Sequence, residues 1–304
     1  MNPDQIIEAC NTDDVSMIAE FVERASQHSQ ATRKKLLDTA LRRAIKRDAI
    51  KIVAYVLDNG ADFSKLDGSF ITRSIDFTYK LPRRELVEKL IAHGWDINNG
   101  EVPLLWTIVD DRDWVEWCLN REAKVLPPPG TPGHAFTIRN PILQYPARKG
   151  DIATFELLRA NGAPVSQAVL PSAVRAASKC APQDGSESPS TEYKKLLTMV
   201  AHLLESVGID ANIPSFGAAA GVASGSFCST PLCCVADSSK GETKELIWLL
   251  LDHGADPNLR GKYTSTNDPT TEHSVPSAME AHPDNERFRK AVEDWMARRD
   301  DSHS

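Results

Sequence analysis

The chain has 304 residues, a formal net charge of −7 and 41 % hydrophobic residues, the balance of an ordinary folded protein. That acidity speaks against a general nucleic-acid binder, which needs a basic face to displace counter-ions. No apolar run approaches the roughly 20 residues that span a bilayer, and Met1–Gln5 lacks the basic-then-apolar pattern of a secretory leader. Six sparse cysteines, Cys10, Cys118, Cys180, Cys228, Cys233 and Cys234, read as reduced thiols, so a cytoplasmic or nuclear protein is expected.

In chain order, helices are predicted first near Gln5–Cys10 and Val15–Arg24. Ile52, Val53, Val56 and Leu57 then form one helical stripe ahead of Gly60, and Leu86, Val87, Leu90 and Ile91 repeat it ahead of Gly94. Trp114, Val115, Cys118 and Leu119 repeat it again ahead of Glu122, which occupies the glycine slot. Before Gly162 and Gly208 the stripe is displaced by one residue, with Leu157–Leu158 and Leu203–Leu204. Leu246, Ile247, Leu250 and Leu251 restore it before Gly254. In each copy the glycine supplies the left-handed turn that stops the helix. A second, shorter helix opens each unit near a proline: Pro103, Pro141, Pro171, Pro231 and Pro276. Phe288–Met296 closes the chain with one apolar and one charged face.

An internal repeat decides the fold before any single residue does. The segment Thr230-Pro231-Leu232, followed by Leu249-Leu250-Leu251-Asp252-His253-Gly254-Ala255-Asp256, resembles the ankyrin repeat family, with Cys233 where the family carries histidine. Leu57-Asp58-Asn59-Gly60-Ala61-Asp62 is the next best copy. The resemblance implies an all-α fold, an ankyrin-type helix-pair solenoid with short hairpin loops. It would be a single domain over 1–304 of seven or eight units: a cap at 3–28, units near 35–65, 68–99, 101–126, 139–166, 168–214 and 229–260, and a C-terminal cap at 275–298. Four enlarged loops interrupt it, at Leu126–Arg139, Lys179–Glu192, Ile213–Ser229 and Gly261–Ser274.

Candidate chemistry is sparse. Asp110-Asp111-Arg112-Asp113 offers carboxylates to a cation, but its place between two helices favours helix capping. Cys228, Cys233 and Cys234 lack the second ligand pair that zinc requires, and read as small buried side chains. The histidines show no zinc spacing; His93 and His253 stand at helix ends, where a cation suits the dipole. No P-loop, GxGxxG or GxSxG is present, so neither metal nor cofactor is expected. Basic runs at Arg33–Lys35, Arg42–Arg47 and Lys80–Arg84 read as solvated helix faces or as a surface for an acidic partner.

The resemblance implies a non-catalytic protein–protein interaction module that binds a partner, which the basic runs suggest is acidic, on its concave face. The alternative is a small-molecule binder or a cofactor-independent cyclase or isomerase, with acid–base residues in a pocket on that face. The contact residues expected on either reading are Trp106, His134, Arg139, Tyr145, Arg148 and Lys149, which combine aromatic and cationic groups beside the Pro127–Gly133 loop.

Overall fold

A computed structural model describes residues 3–72, 81–131, 133–183, 189–213, 230–237, 241–264 and 272–302. Helix dominates, and the chain divides into two compact units, residues 1–138 and 139–304. Among the described residues no helix is long and apolar enough to cross a membrane.

The first unit begins with α1 (Pro3–Thr12), α2 (Val15–His28), α3 (Gln30–Arg47) and α4 (Ile50–Asp58). Asp14 caps α2 by accepting from the Ser16 and Met17 amides, and Ser29 caps α3 by accepting from Thr32. That serine cap starts α3 five residues before the unit boundary expected at residue 35. Leu36, Leu37, Ala40, Leu41, Ala44 and Ile45 form its buried stripe. The unit continues with α5 (Gly68–Ile71), α6 (Arg84–Ala92), α7 (Leu104–Thr107) and α8 (Arg112–Leu119), and α9 (His134–Arg139) ends at the division. Two rows of neighbours emerge: α1 against α3 and α5 against α7 in one, α2 against α4 and α4 against α6 in the other. The pair α5 and α7 meets backbone to backbone, since a Cβ on Gly68 would lie 2.5 Å from Leu104 Cα.

The second unit holds α10 (Gln144–Lys149), α11 (Ile152–Ala160), α12 (Val169–Lys179), α13 (Thr191–Glu205), α14 (Pro231–Ala236) and α15 (Lys244–Asp252). It closes with α16 (Ala278–Ala281) and α17 (Glu286–Ser302). One row again joins short helices, α10 to α12 to α14 to α16, while α17 packs on α15. Pro231 takes the first position of α14 and Thr230 caps it, as expected. The other opening prolines sit less regularly. Pro171 lies inside α12, Pro141 precedes α10 by a turn, and α16 starts after Pro276 behind a Ser277–Glu280 capping box. The loop expected over Gly261–Ser274 is corrected: β1 (Gly261–Thr264) pairs antiparallel with β2 (Glu272–Val275), in the register Gly261 to Val275. The centres of two further predicted loops, residues 184–188 and 214–229 with Cys228, lie outside the described residues.

All six predicted stop positions adopt positive φ, from 64° at Glu122 to 92° at Gly94. At five of them the next amide reaches the carbonyl five residues back: Ala61 to Val56, Trp95 to Leu90, Ala123 to Cys118, Ala163 to Leu158 and Ala255 to Leu250, at 2.9–3.1 Å. At Gly208, Ile209 instead reaches six residues back to Leu203; before Gly162 the expected displacement is corrected, since Thr154, Phe155 and Leu158 are buried at the regular offsets. Beyond the stop an aspartate closes a tight turn by accepting the amide two residues on: Asp62 from Ser64, Asp96 from Asn98, Asp210 from Asn212 and Asp256 from Asn258. The asparagines then clamp the following turn. Asn98 donates to the Glu122 carbonyl (3.1 Å) and accepts from the Lys124 amide (2.7 Å). Asn212 does the same to Gly254 (2.9 Å) and Asp256 (2.8 Å).

Glu122 is the one non-glycine residue among these stops. A side chain in the left-handed region costs about 1–2 kcal/mol, and the added chain entropy of glycine offsets about 0.4–1 of it. Glu122→Gly is therefore expected to raise the unfolding free energy by roughly 0.5–1 kcal/mol. Leu250→Ala, at a fully buried stripe position, is expected to lower it by about 2–5 kcal/mol. Urea unfolding followed by circular dichroism checks both signs.

Candidate functional site

The six expected contact residues divide between the units: Trp106 and His134 in the first, Arg139, Tyr145, Arg148 and Lys149 in the second. Trp106 is corrected to an interior residue. It is 4 % exposed in α7, where Leu104, Leu105 and Trp106 are all buried, so its ring offers no contact surface. His134 has a fastening role, with Nδ1 donating to the Pro127 carbonyl at 2.7 Å across the proline-rich loop. Arg139 is exposed at the end of α9. Arg148 lies 5.0 Å from the centre of the Tyr145 ring, and Arg148 and Lys149 close α10, where cations complement the helix dipole.

The other candidates resolve locally. Asp111 accepts from the Trp114 amide at 3.0 Å and caps α8. Cys10, Cys118, Cys233 and Cys234 are buried. Burial pushes the Cys10 thiol up to about 11 and the Cys118 thiol up to about 12, so neither is poised as a nucleophile. Trp114 and Trp117 pack edge to face at 5.0 Å, with Arg84 over the first ring and Arg121 over the second. Tyr79 and Lys80 lie outside the described residues.

A further surface is one the sequence indicated only as basic runs. Lys35, Thr39, Arg42 and Lys46 recur at helical spacing on α3, opposite its buried stripe. Two open depressions meet there, sharing Thr39 and Arg42. One is bounded by Lys34, Lys35 and Asp38. The other runs from Arg42, Arg43 and Lys46 to Lys65, Asp67, Ser69 and Phe70 on the adjoining turn and α5. The half-exposed Phe70 ring is its apolar floor, with Lys46 Nζ 4.2 Å and the Arg42 guanidinium 5.4 Å from the ring centre. Lys46 also donates to the Phe70 carbonyl at 3.0 Å, which fixes the helix to α5.

The two carboxylates among the described lining residues each accept a backbone amide. Asp38 accepts from the Asp62 amide at 2.7 Å, and Asp67 accepts from Phe70 and Ser69 as the cap of α5. Five cations elsewhere have counter-ions: Arg121, Arg159, Lys244, Arg260 and Arg298 bond to Glu88, Glu156, Asp294, Glu280 and Asp252 at 2.6–2.7 Å. Among the described residues no carboxylate closes an ion pair with Lys34, Lys35, Arg42, Arg43 or Lys65. Lys34 and Lys65 are close enough to Asp62 to add to the hydrogen bonds from Ser64 that hold its carboxyl below the usual range. The chain matches no protein-family model, and no curated protein matches it.

The two helix-end histidines make matching contacts. His93 Nδ1 donates to the Lys89 carbonyl at 2.7 Å and Nε2 to Asp58 at 2.9 Å; His253 faces Leu249 and Glu205 in the same way. The hydrogen bond to Asp58, then that to Lys89, raises the His93 pKa above its ordinary value of 6.5. A raised folded-state pKa stabilises fully below the unfolded value, and the contribution disappears as pH rises through the folded value. Stability is therefore expected to fall as pH rises above 6.5, and His93→Gln to remove that slope, read from urea midpoints across the range.

Proposed function

We infer that this chain is an ankyrin-type array of helix pairs that acts as a non-catalytic module for binding another protein. The observation that carries this reading is the repeated unit itself: a helix stop with positive φ, an aspartate-closed turn and an asparagine clamp on the next turn. Units that each contact only their neighbours build an extended surface, and such surfaces serve recognition. In the first unit that surface is the row of α3, α5 and α7 with the turns beside it, which stands for the concave face of the array.

The electrostatics support the same reading. Buried thiols with raised pKa values and carboxylates consumed in caps are structural uses of titratable groups. The groove on α3 is open and basic around one part-buried ring, which suits a polypeptide segment better than a small metabolite. Cytoplasmic or nuclear placement goes with this reading, because the buried cysteines are all free thiols.

The test is hydrogen–deuterium exchange on a complex with a purified partner obtained by affinity capture. Protection is expected over α3, α5 and the turns at 61–66 and 95–99, with α4 and α6 unchanged. Protection confined to α4, α6 and α8 overturns the assignment of the face. Turnover of a small molecule, without any stable polypeptide complex, overturns the module reading in favour of an enzyme.

A further inference from the structure

We propose that the groove across α3 and α5 is a receptor for an extended, Asp/Glu-rich peptide segment of a partner protein. The inference rests on the reading of the chain as a binding module and names what this part of it binds. Six cations, Lys34, Lys35, Arg42, Arg43, Lys46 and Lys65, line two adjoining depressions, against two carboxylates among the described lining residues and Asp62 beside them. Asp38 and Asp67 each accept a backbone amide there, and the cations outnumber them.

Three observations select an acidic peptide. First, the excess of cations is local, in a chain whose net charge is −7. A long polyanion such as nucleic acid meets repulsion beyond the groove, while a short acidic segment stays within the favourable field. Second, the cations from Lys34 to Lys46 rise about 18 Å along α3, the span of about five or six residues of extended chain. Third, Arg42 and Lys46 flank the Phe70 ring, and Lys46 is bonded to the Phe70 carbonyl. These two cations are thereby positioned before a ligand arrives, which lowers the ordering cost of binding. Lys34, Lys35, Arg43 and Lys65 are exposed, so a carboxylate approaches them at little desolvation cost and the groove favours fast, salt-sensitive association.

The probe is a fluorescein-labelled alternating Asp/Glu peptide of about six residues, with an Asn/Gln peptide of equal length as the neutral control. Fluorescence anisotropy at low salt is expected to show saturable binding of the acidic peptide alone, weakened by added salt. Lys35→Gln combined with Arg42→Gln is expected to raise its Kd roughly tenfold, the usual worth of two exposed charge pairs. Lys34→Gln with Lys65→Gln is the second pair, for use if circular dichroism shows the first to be misfolded. Arg139→Gln with Arg148→Gln, in the other unit, is expected to leave the Kd unchanged.

Equal affinity of the wild type and both groove pairs overturns the proposal, as does failure of the acidic peptide to bind. Weakening by the Arg139 and Arg148 pair alone moves the site and also overturns it. Equal competition by single-stranded DNA of matched charge shows a general polyanion surface and overturns it as well. The exchange experiment on a natural partner does not use this probe. Protection of the inner-row helices there, with no effect of groove charge here, refutes the acidic ligand while leaving the binding-module reading intact.

Discussion

The bond from the amide after the helix stop to the carbonyl five residues back, made at five of the six stops, is the constraint on which the structure depends. It exists only because the preceding residue enters the left-handed region, and that turn reverses the chain before the helix can add another residue. Everything downstream takes its position from this reversal. The aspartate that closes the next turn, the asparagine that reaches the following one and the short helix that begins afterwards are all measured from it. Glu122 shows how strongly the surroundings impose the conformation, since it holds φ of 64° without glycine's freedom.

Charge is distributed in two ways over this framework. On the helices around the stops, cations and carboxylates of neighbouring units are brought together, as with Arg121 and Glu88, or Lys244 and Asp294. Such exposed pairs add little stability individually but leave that surface electrically quiet. On α3 the one carboxylate, Asp38, accepts a backbone amide, while Lys34, Lys35 and Arg43 are exposed. One set of residue types thus yields paired flanks and a basic groove, according to how many carboxylates lie beside the cations.

The stops and the helices before them were legible in the sequence because two signals coincide there, an apolar stripe and a glycine. Even the substituted slot at Glu122 fell in place. The short helices were less legible: a four-residue helix such as α7 holds too few positions to reveal a face, and Trp106 beside two leucines was read as surface when it is interior. The strands at 261–264 and 272–275 were missed because the polar, threonine-rich segment between them carries loop composition. For the groove, the basic runs were visible, but Phe70 and Lys65 join α3 only through the turn and α5. No local pattern announces that meeting.

The asparagine clamps carry a consequence for how the chain tolerates growth. Asn98 grips a turn whose nearer contact lies 24 residues on, while Asn212 grips one 42 residues on with the same pair of hydrogen bonds. Loop-closure entropy grows only with the logarithm of length, so the longer closure costs about 0.5 kcal/mol more than the shorter one. A single clamp of this kind contributes as much. Sequence added between one grip and the next therefore lengthens the chain without loosening its geometry, and such an array accepts insertions between its units at almost no thermodynamic disadvantage.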